Sequence, residues 1–470
     1  MKRILIKETV KNINKSVRVC GWVNTRRDHG KIVFIDLRDR SGVLQIVFTP
    51  QNDSLYKLAQ ELRSEWVIEV KGTIKERPDN MKNQKIETGN VEMKAENLKV
   101  FSKAKTLPFS IESEGYDINE EKRLKYRYID LRRKRLQENL RARHKVIQFM
   151  RNYFQKEDFV EIETPILTKS TPEGARDFVV PSRMYPGKFY ALPQSPQQYK
   201  QLLMVAGFEK YFQFPRCLRD EDPRADRQAE FTQLDLEMSF VEKEDVLSLT
   251  EDLFIKICKD LFPEKKIKEI PFPRITYKEA MEKYKSDKPD LRDKKDDSEL
   301  AFCFVTDFPM FEWHKGTKSW GATHHPFTNP QTEDTEEIKK HPEDILADQY
   351  DFVLNGCEIG GGSIRTTNLD VLIAIFKVLG HTPEDVKDKF RNYFEAFSYG
   401  VPPHGGIAIG FDRFLSIVFG EPNIREVMAF PKTGDNRGLM MGLPSEISSD
   451  QLKELHIKLD KNKGRTKKTN

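Results

Sequence analysis

The sequence lacks the features that define several common classes of protein. Its 470 residues contain only five cysteines and no CxxC pair. The histidine pair His324-His325 has no third ligand at metal spacing, and we interpret it as a hydrogen-bonding pair. A disulfide framework and a zinc site are therefore both excluded. No run approaches a membrane span of about 18 apolar residues, and the first residues carry no apolar signal core. We expect a protein of a reducing compartment, the cytoplasm, without a membrane contact.

Two common nucleotide-binding signatures are also missing, because the sequence contains neither GxxxxGK[ST] nor GxGxxG. Any nucleotide must therefore be held by another arrangement. The net charge of +5 is too small to indicate nucleic-acid binding by itself. Positive charge is concentrated in a segment from Lys122 to Arg135 and in a tail that contains Lys461, Lys463, Arg465, Lys467 and Lys468. Each of these is either an RNA-binding surface or a solvated stretch.

Residues 1–105 have the pattern of a small β-barrel. Apolar or alternating runs separated by turn residues predict five strands, which begin near Val17, Ile32, Leu44, Trp66 and Val91. Five short strands in so few residues are typical of the oligonucleotide-binding barrel. Basic residues and a candidate stacking aromatic, Phe34, are interleaved on one side, which suits single-stranded RNA. A structural barrel with a wet basic face is the alternative.

The rest of the chain has a different pattern. Residues 106–135 form a basic hinge, and helical spacing of apolar residues begins at about residue 136. We expect the main domain to cover 136–445, with a charged, proline-punctuated connector at 262–300. Residues 446–470 form a C-terminal extension that ends in the basic tail. Within the main domain, a helix is predicted to begin at Ser195-Pro196, with a capping box to Gln198, and to end at Gly207.

The most informative segment is the loop and strand between Pro215 and Phe240. The loop carries charges of both signs and leads into a strand with two-residue alternation. Apolar residues such as Leu234 and Leu236 occupy one face, while the other face carries Phe231, Gln233, Asp235, Glu237 and Ser239. A row of acidic and amide groups next to an arginine-rich loop favours a cleft for a charged ligand over a solvated hairpin.

A glycine-flanked strand that turns into a helix, Gly405–Arg413, offers a site for phosphate. Arg413 falls in the first turn of that helix, where a cation meets the positive end of the helix dipole. A bound polyphosphate would remove this conflict, because helix N-termini and arginine both attract phosphate. Pairing of Arg413 with a nearby carboxylate would also remove it, so both interpretations stay open.

The segment Asp351–Arg365 reads as another strand and carries two carboxylates, Asp351 and Glu358. Such a pair suits Mg²⁺ held jointly with phosphate oxygens. The two positions have opposite parity, so we expect a bulge at Asn355-Gly356 that brings both carboxylates to one side. The glycines at 360–362 allow a ligand to approach the backbone closely.

Taken together, these segments resemble the bacterial type of aspartyl-tRNA synthetase, a family of class II aminoacyl-tRNA synthetases. The three class II motifs are matched by Phe159–Pro165, Arg219–Met238 and Gly406–Arg413. Signatures of the aspartyl branch are matched by Ser170–Phe178, Pro193–Lys200, His324–Phe327 and Glu358–Arg365. The resemblance covers nearly the whole chain. It implies an α+β protein in which a five-stranded OB-fold precedes a class II antiparallel sheet flanked by helices.

The resemblance also implies a two-step reaction. Aspartate attacks the α-phosphate of ATP, and the 3′-hydroxyl of tRNA then takes the aspartyl group from the adenylate. The implied aspartate site consists of Glu173, Gln197, Lys200, Arg219, Asp235, His324 and Arg365. The implied ATP site consists of Arg219, Asp220, Glu221, Gln228, Glu358, Gly410, Phe411, Asp412 and Arg413. Within these sets the catalytic residues are Arg219, Glu358 and Arg413, and the Mg²⁺ ligands are Asp351 and Glu358.

Two of the implied residues explain how asparagine would be rejected. Asparagine is nearly isosteric with aspartate, so the shape of the site cannot exclude it. Lys200 and Arg365 would face the substrate's side-chain carboxylate, and a neutral amide would leave both cations unpaired. Polar discrimination of this kind reaches roughly 10⁴–10⁵-fold.

The resemblance implies tRNA as the macromolecular partner. Phe34 would stack on the central anticodon base, with Arg27 and Gln45 as its base-reading neighbours. Some family members charge only tRNA-Asp, whereas others also aspartylate tRNA-Asn, and His29 resembles the relaxed type. A second copy of the chain is the other implied partner, in a homodimer through motif 1 around Pro165.

The chain departs from the family in lacking a whole domain between motifs 2 and 3, since Arg292 is followed almost directly by Phe302. Pro223 and Ala229 also replace the usual leucine and proline of the motif 2 loop. Two other interpretations stay open. A ligase that makes asparagine without tRNA is opposed by the barrel. A non-catalytic RNA-binding protein is opposed by the complete set of charged site residues.

Overall fold

The computed structural model describes residues 1–170, 175–222, 224–382, 386 and 390–460. The chain divides into two compact units, Met1–Ser110 and Ile111–Asn470. The boundary falls inside the predicted hinge, whose larger part belongs to the second unit. Glu173, implied in the aspartate site, and the basic tail lie outside the described residues. In the ranges just given, no helix is long and apolar enough to cross a membrane.

The first unit is a closed five-stranded barrel, which confirms the predicted strands and their order along the chain. Its neighbours run β1-β2-β3-β5-β4. The bounds are β1 (Ser16–His29), β2 (Ile32–Asp39), β3 (Gly42–Phe48), β4 (Val67–Glu76) and β5 (Val91–Ser102). Alternate side chains of these strands form an apolar core. One helix, α1 (Asp53–Glu61), lies between β3 and β4 and was not predicted; Asn52 caps its N-terminus.

The second unit combines a large sheet with helices. Its described strands are β6 (Val160–Glu161), β7 (Val179–Pro181), β8 (Phe189–Ala191), β9 (Lys210–Gln213), β10 (Arg216–Leu218), β11 (Glu230–Ser239), β12 (Lys266–Ile267), β13 (Arg274–Thr276), β14 (Glu299–Leu300), β15 (Phe302–Pro309), β16 (Phe311–His314), β17 (Ser319–Ala322), β18 (Leu346–Leu354), β19 (Cys357–Ile364) and β20 (His404–Gly410). Its described α-helices are α2 (Glu120–Lys125), α3 (Arg127–Asp130), α4 (Lys134–Lys156), α5 (Gln197–Val205), α6 (Lys243–Leu261), α7 (Tyr277–Tyr284), α8 (Thr335–Lys340), α9 (Leu369–Val378), α10 (Arg391–Ser398), α11 (Phe411–Val418) and α12 (Ser449–Glu454).

The large sheet has the order β13-β15-β18-β19-β20-β11-β9-β6, with β10 paired to β11. Its pairs are antiparallel except β13–β15 and β6–β9. The alternation predicted for β11 is confirmed. Leu234 and Leu236 lie in the core with side chains of α4 and α6, while Asp235 and Glu237 lie on the opposite face. The sheet therefore separates a packed apolar layer from a face that carries buried charge.

The segment Asp351–Arg365 is not a single strand. β18 and β19 form an antiparallel hairpin, so the bulge predicted at Asn355-Gly356 is wrong. Those two residues form the turn instead, with φ values of 52° and 78°. Two consecutive positive φ angles are the signature of a type I′ hairpin turn, for which Asn-Gly is the preferred sequence.

A register shift in this hairpin still brings the two carboxylates to one side. Asp351 pairs with Gly361, and Val353 pairs with Glu358. The interval is therefore two residues on β18 and three on β19, which leaves Ile359 as the extra residue. Because cross-strand partners share a face, Asp351 and Glu358 lie on the same face of the sheet.

The connector and helix α5 differ in detail from their predictions. The connector at 262–300 is not only a linker: β13 joins the edge of the large sheet, and α7 follows with a capping box between Thr276 and Glu279. Helix α5 begins one residue later than predicted, and the capping box with Gln198 is absent. Gly207 follows the helix with a φ of 82°, as expected of a residue after a helix end.

Three arginines of the basic segment 122–135 lie neither on an RNA-binding surface nor in solvent, whereas Lys122, Lys125 and Lys134 are exposed and both interpretations stay open for them. Arg123, Arg127 and Arg133 are 4%, 2% and 1% exposed. All three donate hydrogen bonds to Asp130, which is fully buried. These arginines therefore act inside the second unit, and they are unavailable to phosphate groups of a nucleic acid.

Candidate active site

A cavity of about 310 Å³ opens on the charged face of β11, β19 and β20. The N-terminal part of α5 and the first turn of α11 complete its wall. Twelve residues of the sequence-based set line it: Gln197, Lys200, Arg219, Glu221, Gln228, Asp235, His324, Glu358, Arg365, Gly410, Asp412 and Arg413. Residues separated by up to about two hundred positions are thus gathered in one cleft, in agreement with the prediction of a cleft for a charged ligand.

Four buried charges form a network at the base of this cavity. Lys200 Nζ lies 3.2 Å from Asp235 Oδ2 and 3.1 Å from Glu237 Oε2. Arg365 donates from Nε and Nη2 to the two carboxylate oxygens of Glu237, at 2.9 and 3.1 Å. The network has two cations and two anions, so it is neutral. Sequence analysis missed Glu237 as a site residue, although it follows Asp235 in phase on the polar face of β11.

The two carboxylates of this network differ in their protonation behaviour. Burial raises the pKa of Asp235 to about 6, although Lys200 opposes the rise. Burial would also raise the pKa of Glu237, but Arg365 and Lys200 outweigh it and lower that pKa to about 2. Both groups are therefore ionised at neutral pH, and Asp235 is the one that becomes neutral first on acidification.

The network changes the explanation of how asparagine is rejected. Lys200 and Arg365 were expected to be unpaired when a neutral amide enters the site. In the structure, Asp235 and Glu237 already pair with them before any ligand is present. Rejection of a neutral amide therefore cannot rest on bare charges. The five N–H groups of Arg365 already donate to Glu237, His325, Ser363 and the carbonyl oxygen of Gly406, so a ligand must exchange with one of these partners or bind the donor that remains on Lys200.

Two buried polar atoms in the cavity wall have no hydrogen-bond partner among the described residues. They are Gln197 Nε2, a donor, and Asp235 Oδ1, an ionised acceptor. Leaving such atoms unsatisfied costs about 1–3 kcal/mol each. A ligand with both a cationic donor and an anionic acceptor would satisfy the pair, and a zwitterionic amino acid carries both groups.

The histidine pair lies in the cavity wall beside Arg365. His325 Nε2 lies 2.8 Å from Arg365 Nη1, so this nitrogen accepts and the ring is neutral. His324 keeps much of its surface open to the cavity, but protein surrounds it. This enclosure and the charges of Arg365 and Lys200 lower the pKa of His324 to about 3. His325 thus takes part in hydrogen bonding as predicted, and His324 presents a neutral ring to a ligand.

Asp351 and Glu358, the carboxylate pair predicted to bind a metal, lie on one face of the hairpin formed by β18 and β19. Burial and the nearby charge of Glu358 raise the pKa of Asp351 well above its ordinary value. Gln349 Nε2, at 3.4 Å, is a weak hydrogen-bond donor to Asp351. A Cβ at Gly361 would lie 3.1 Å from Asp351 Oδ1, so the glycine leaves room beside that oxygen. Neither carboxylate has an ion-pair partner among the described residues, and two hard oxygen ligands of this kind fit Mg²⁺.

Arg413 lies in the first turn of α11, as predicted, and is paired with protein groups. Its Nη2 lies 3.2 Å from Asp226 Oδ2, and its Nη1 donates to the carbonyl oxygen of Glu358. The pairing with a carboxylate, which the sequence left open, is therefore present in the structure. Asp226 belongs to the exposed motif 2 loop, so a phosphate could replace it without breaking a buried pair.

Several residues of the implied ATP site do not offer their side chains to the cavity. Phe411 is fully buried in the apolar core. Asp412 accepts a hydrogen bond from Thr232 N at 2.8 Å and is bonded to Arg143. Asp220 is absent from the cavity lining. Any contact of these three residues with a nucleotide would have to come from the backbone or follow a rearrangement.

The residues predicted to read an anticodon lie together on the outer face of the barrel. Arg27 and Phe34 are direct cross-strand partners. Arg27 Nη2 donates to Asp36 at 2.8 Å and to Gln45 Oε1 at 3.3 Å. His29 is exposed at the end of β1. The half-buried Phe34 ring is thus flanked by groups that can donate and accept hydrogen bonds.

Comparison with known proteins identifies the class of this fold and cavity. Residues 119–434 match the family model described as tRNA synthetases class II (D, K and N), and residues 17–101 match the OB-fold nucleic acid binding domain. The chain belongs to the class II tRNA synthetases of this D, K and N group. Both the fold class and the family inferred from the sequence are thereby confirmed.

Individual relatives and solved structures give a more specific likeness than the family models do. The chain is 43% identical to "Aspartate--tRNA(Asp/Asn) ligase" of Caldanaerobacter subterraneus, covering 96% of this chain and 97% of the relative. It is 41% identical to the protein of the same name from Thermoanaerobacter pseudethanolicus, with equal coverage. The structure of asparaginyl-tRNA synthetase from Pyrococcus horikoshii complexed with asparaginyl-adenylate matches with a TM-score of 0.74. Its identity is 24%, and the match covers 92% of this chain and 98% of that one. This last match shows the fold alone.

The alignment with the first relative is longer than the chain itself. It spans 577 positions, whereas the chain has 470 residues. The difference of 107 positions is a lower bound on the residues that the relative has and this chain lacks. This is the size of a domain. That the missing residues are those between motifs 2 and 3 stays a prediction.

Proposed function

We propose that the protein is an aspartate–tRNA ligase, which activates L-aspartate with ATP and transfers it to tRNA. The observation that carries this proposal is the cavity base, where Lys200 and Arg365 lie beside two unsatisfied atoms, Gln197 Nε2 and Asp235 Oδ1. Asp235 accepts the substrate ammonium, and Gln197 donates to a substrate carboxylate. Lys200 and Arg365 face the side-chain carboxylate. Glu237 holds these two cations in position. The names of the relatives point to the same substrate.

The first step needs no protein nucleophile, because the α-carboxylate of aspartate is already one. Its oxygen forms a bond to the α-phosphorus of ATP while the bond to the bridging oxygen breaks, and pyrophosphate leaves. Arg219 lies against the Phe231 ring, 5.3 Å from its centroid, and its guanidinium aligns the carboxylate with the α-phosphate. Arg413 exchanges Asp226 for the far phosphates, and Glu221 and Gln228 hold the nucleotide.

Magnesium is part of the proposal. Asp351 and Glu358 would hold it, and the ion would supply positive charge to the phosphates as pyrophosphate departs. The raised pKa of Asp351 supports a cation at this point, since a positive charge would keep both carboxylates ionised.

In the second step the 3′-hydroxyl of the terminal adenosine of tRNA attacks the aspartyl carbonyl, and AMP leaves. Phe34, Arg27 and Gln45 contact the anticodon. We propose relaxed specificity, in which tRNA-Asp and tRNA-Asn are both charged. The relatives are named for tRNA(Asp/Asn), and His29 agrees with that type.

The proposal also includes a homodimer in the cytoplasm. β6 is an edge strand of the large sheet, and Val160, Ile166 and Leu167, in and beside motif 1, are 43–58% exposed. An open edge with apolar side chains is a surface that proteins normally cover. A second copy docked around Pro165 would cover it, and sedimentation equilibrium would report twice the 54.9 kDa chain mass.

Aspartate binding should weaken on acidification because Asp235 must be ionised to accept the ammonium. We expect the Kd for aspartate, measured without ATP, to be nearly constant above pH 7. It should rise as the pH falls through about 6, by about tenfold for each further pH unit. Isothermal titration between pH 5 and 8 checks this, with Asp235→Asn, which has no carboxyl at this position to titrate, as the control. A flat profile down to pH 5 would contradict the role of Asp235.

Charging of purified tRNA-Asp and tRNA-Asn with labelled aspartate, side by side, tests the function. We expect aspartate-dependent pyrophosphate exchange and charging of both tRNAs. Charging of tRNA-Asp alone would make the enzyme discriminating and remove the meaning given to His29. Exchange without any charging, with asparagine as a free product, would favour the tRNA-independent ligase. Absence of exchange would overturn the enzymatic proposal.

A further inference from the structure

An ion pair in the second unit joins α11, at the cavity wall, to α4, which lies far away in the sequence. Asp412, in the first turn of α11, belongs to the residues that line the cavity. Its Oδ1 atom accepts a hydrogen bond from Nη1 of Arg143, a residue of α4 that is 269 positions away. Its Oδ2 atom accepts from Thr232 N of β11 at 2.8 Å. Both oxygens of this carboxylate are therefore engaged by the protein.

Arg143 is held in place by further contacts. Its Nη1 also donates to the carbonyl oxygen of Val427 at 3.3 Å. The central carbon of its guanidinium lies 4.9 Å from the centroid of the Phe411 ring, which is a cation–π contact. The side chains of Arg143 and Asp412 are 16% and 3% exposed. Solvent screens such an enclosed pair only weakly, so removal of the cation would leave an uncompensated negative charge in the cavity wall.

We propose that Arg143 is a positioning residue for ATP binding, which pairs with Asp412 and thereby keeps that carboxylate from repelling the phosphates. Asp412 directly precedes Arg413, the residue to which the proposed function assigns the far phosphates. A triphosphate brings several negative charges to this end of the cavity, and an unpaired carboxylate beside them would oppose its binding. Arg143 is absent from the cavity lining, so it acts through Asp412 and not by touching the nucleotide.

This inference rests on the proposed function, since it takes ATP as the nucleotide. It differs from the other assignments because Arg143 lies outside the three class II motifs and outside the sequence-based set of site residues. It also gives a role to the side chain of Asp412, which the resemblance places in the ATP site although its carboxylate is bonded to the protein. That carboxylate joins the first turn of α11 to β11 and α4, and Arg143 balances its charge.

The test compares MgATP with adenosine, which lacks phosphates, by isothermal titration of the full-length protein. Arg143→Met should bind MgATP about tenfold more weakly, and adenosine as tightly as the unaltered protein does. Addition of Asp412→Asn to Arg143→Met removes the unpaired anion and should restore most of the MgATP affinity. Arg143→Lys keeps the positive charge and should also retain most of it. Arg141→Met, the same change at an exposed position of α4, should have no effect.

Unchanged MgATP affinity in Arg143→Met would overturn the proposal. A double variant that binds MgATP as weakly as Arg143→Met does would also overturn it, because the pair would then act through packing and not through charge. An equal loss of MgATP and adenosine affinity would do the same, since it indicates a displaced α11. Asp412→Asn alone gives a second test that leaves Arg143 in place, and weaker MgATP binding in this variant would contradict the proposal. If MgATP affinity follows the expected pattern but no aspartate-dependent exchange is found, the proposed function fails while the role of Arg143 stands.

Discussion

Arg365→Leu is expected to lower kcat/KM for aspartate in pyrophosphate exchange by roughly 10⁴-fold. The Arg365 guanidinium is 2% exposed and is held by a two-point pair with Glu237. Leucine offers neither charge nor donors to the substrate's side-chain carboxylate. The change has a second consequence, because Lys200 would then be the only ion-pair partner of Glu237 within the described part of the chain. The ammonium would be drawn to Glu237, so both cations would be lost to the substrate.

The controls separate recognition of aspartate from folding. MgATP affinity should be preserved in Arg365→Leu, since Arg365 lies at the aspartate end of the cavity. Arg141→Leu, the same change at an exposed position of α4, should leave exchange and thermal unfolding unchanged. Arg365→Lys keeps the charge but loses the fork that fits Glu237, so an intermediate loss is expected. Near-normal exchange in a folded Arg365→Leu protein would contradict the assignment.

The neutral network also changes the account of how asparagine is rejected. Before the substrate binds, the charges of Lys200 and Arg365 are balanced by Asp235 and Glu237. A carboxylate accepts a charge-assisted hydrogen bond from the donor that remains on Lys200, and from Arg365 where it replaces one of that residue's neutral acceptors; such bonds are about twice as strong as neutral ones. An amide accepts weaker bonds through its oxygen and turns its NH₂ group toward cations that cannot accept. Discrimination therefore depends on Glu237, which keeps both cations oriented in the empty site.

Local patterns were enough to predict the elements that carry the site. The barrel strands follow from alternation and turn residues. The polar face of β11 follows from the two-residue period, which also placed Asp235 in the cleft. The helix whose first turn carries Arg413 follows from the glycine-flanked strand before it. In each case the information lies within about ten residues of chain.

The wrong or incomplete predictions concern residues whose conformation or role depends on a partner across a turn or far along the chain. The bulge predicted at Asn355-Gly356 is wrong because these residues form a turn, and Asn-Gly between two apolar runs is the strongest short-range hairpin signal. Glu237 was left out because its role becomes visible only once Arg365, 128 positions later, is paired with it. The signal that could have found it is its position in phase with Asp235.

The arginines of segment 122–135 are the clearest case of a partner far along the chain. Arg123 and Arg135 both bond to Glu426, at 2.7 and 2.9 Å. Arg127 donates to the carbonyl oxygens of residues 425, 428 and 429. About three hundred residues separate each arginine from its partner. The local density of positive charge, considered alone, therefore indicates a solvated or RNA-binding stretch. The fold uses the same charges to join this segment to the chain that follows α11.

Asp130→Asn is accordingly expected to destabilise the second unit by roughly 3–5 kcal/mol. The Asp130 carboxylate accepts from Arg123, Arg127 and Arg133 at 2.7–3.2 Å and is 0% exposed. A neutral amide of the same shape removes the anion that three buried guanidinium groups share, although Arg123 keeps Glu426, and its NH₂ group faces donors. The measurement is the shift in the thermal or denaturant midpoint of that unit. Asp450→Asn, which removes an exposed pair with Lys453, should cost less than about 1 kcal/mol.

The pH dependence of stability gives an independent check of the interactions between Asp130 and its three arginines. Burial alone would raise the pKa of Asp130, but hydrogen bonds from Arg123 and Arg133 outweigh it and hold the pKa below its ordinary value. A carboxyl with a lowered folded-state pKa contributes stability that is present above its unfolded-state pKa of about 3.9. That contribution disappears as the pH falls through the lower folded-state value. The stability difference between the unaltered protein and Asp130→Asn should therefore be constant from pH 8 to 5 and shrink on further acidification. A difference that stays unchanged in acid would show that packing, and not the charge of Asp130, holds the arginines in place.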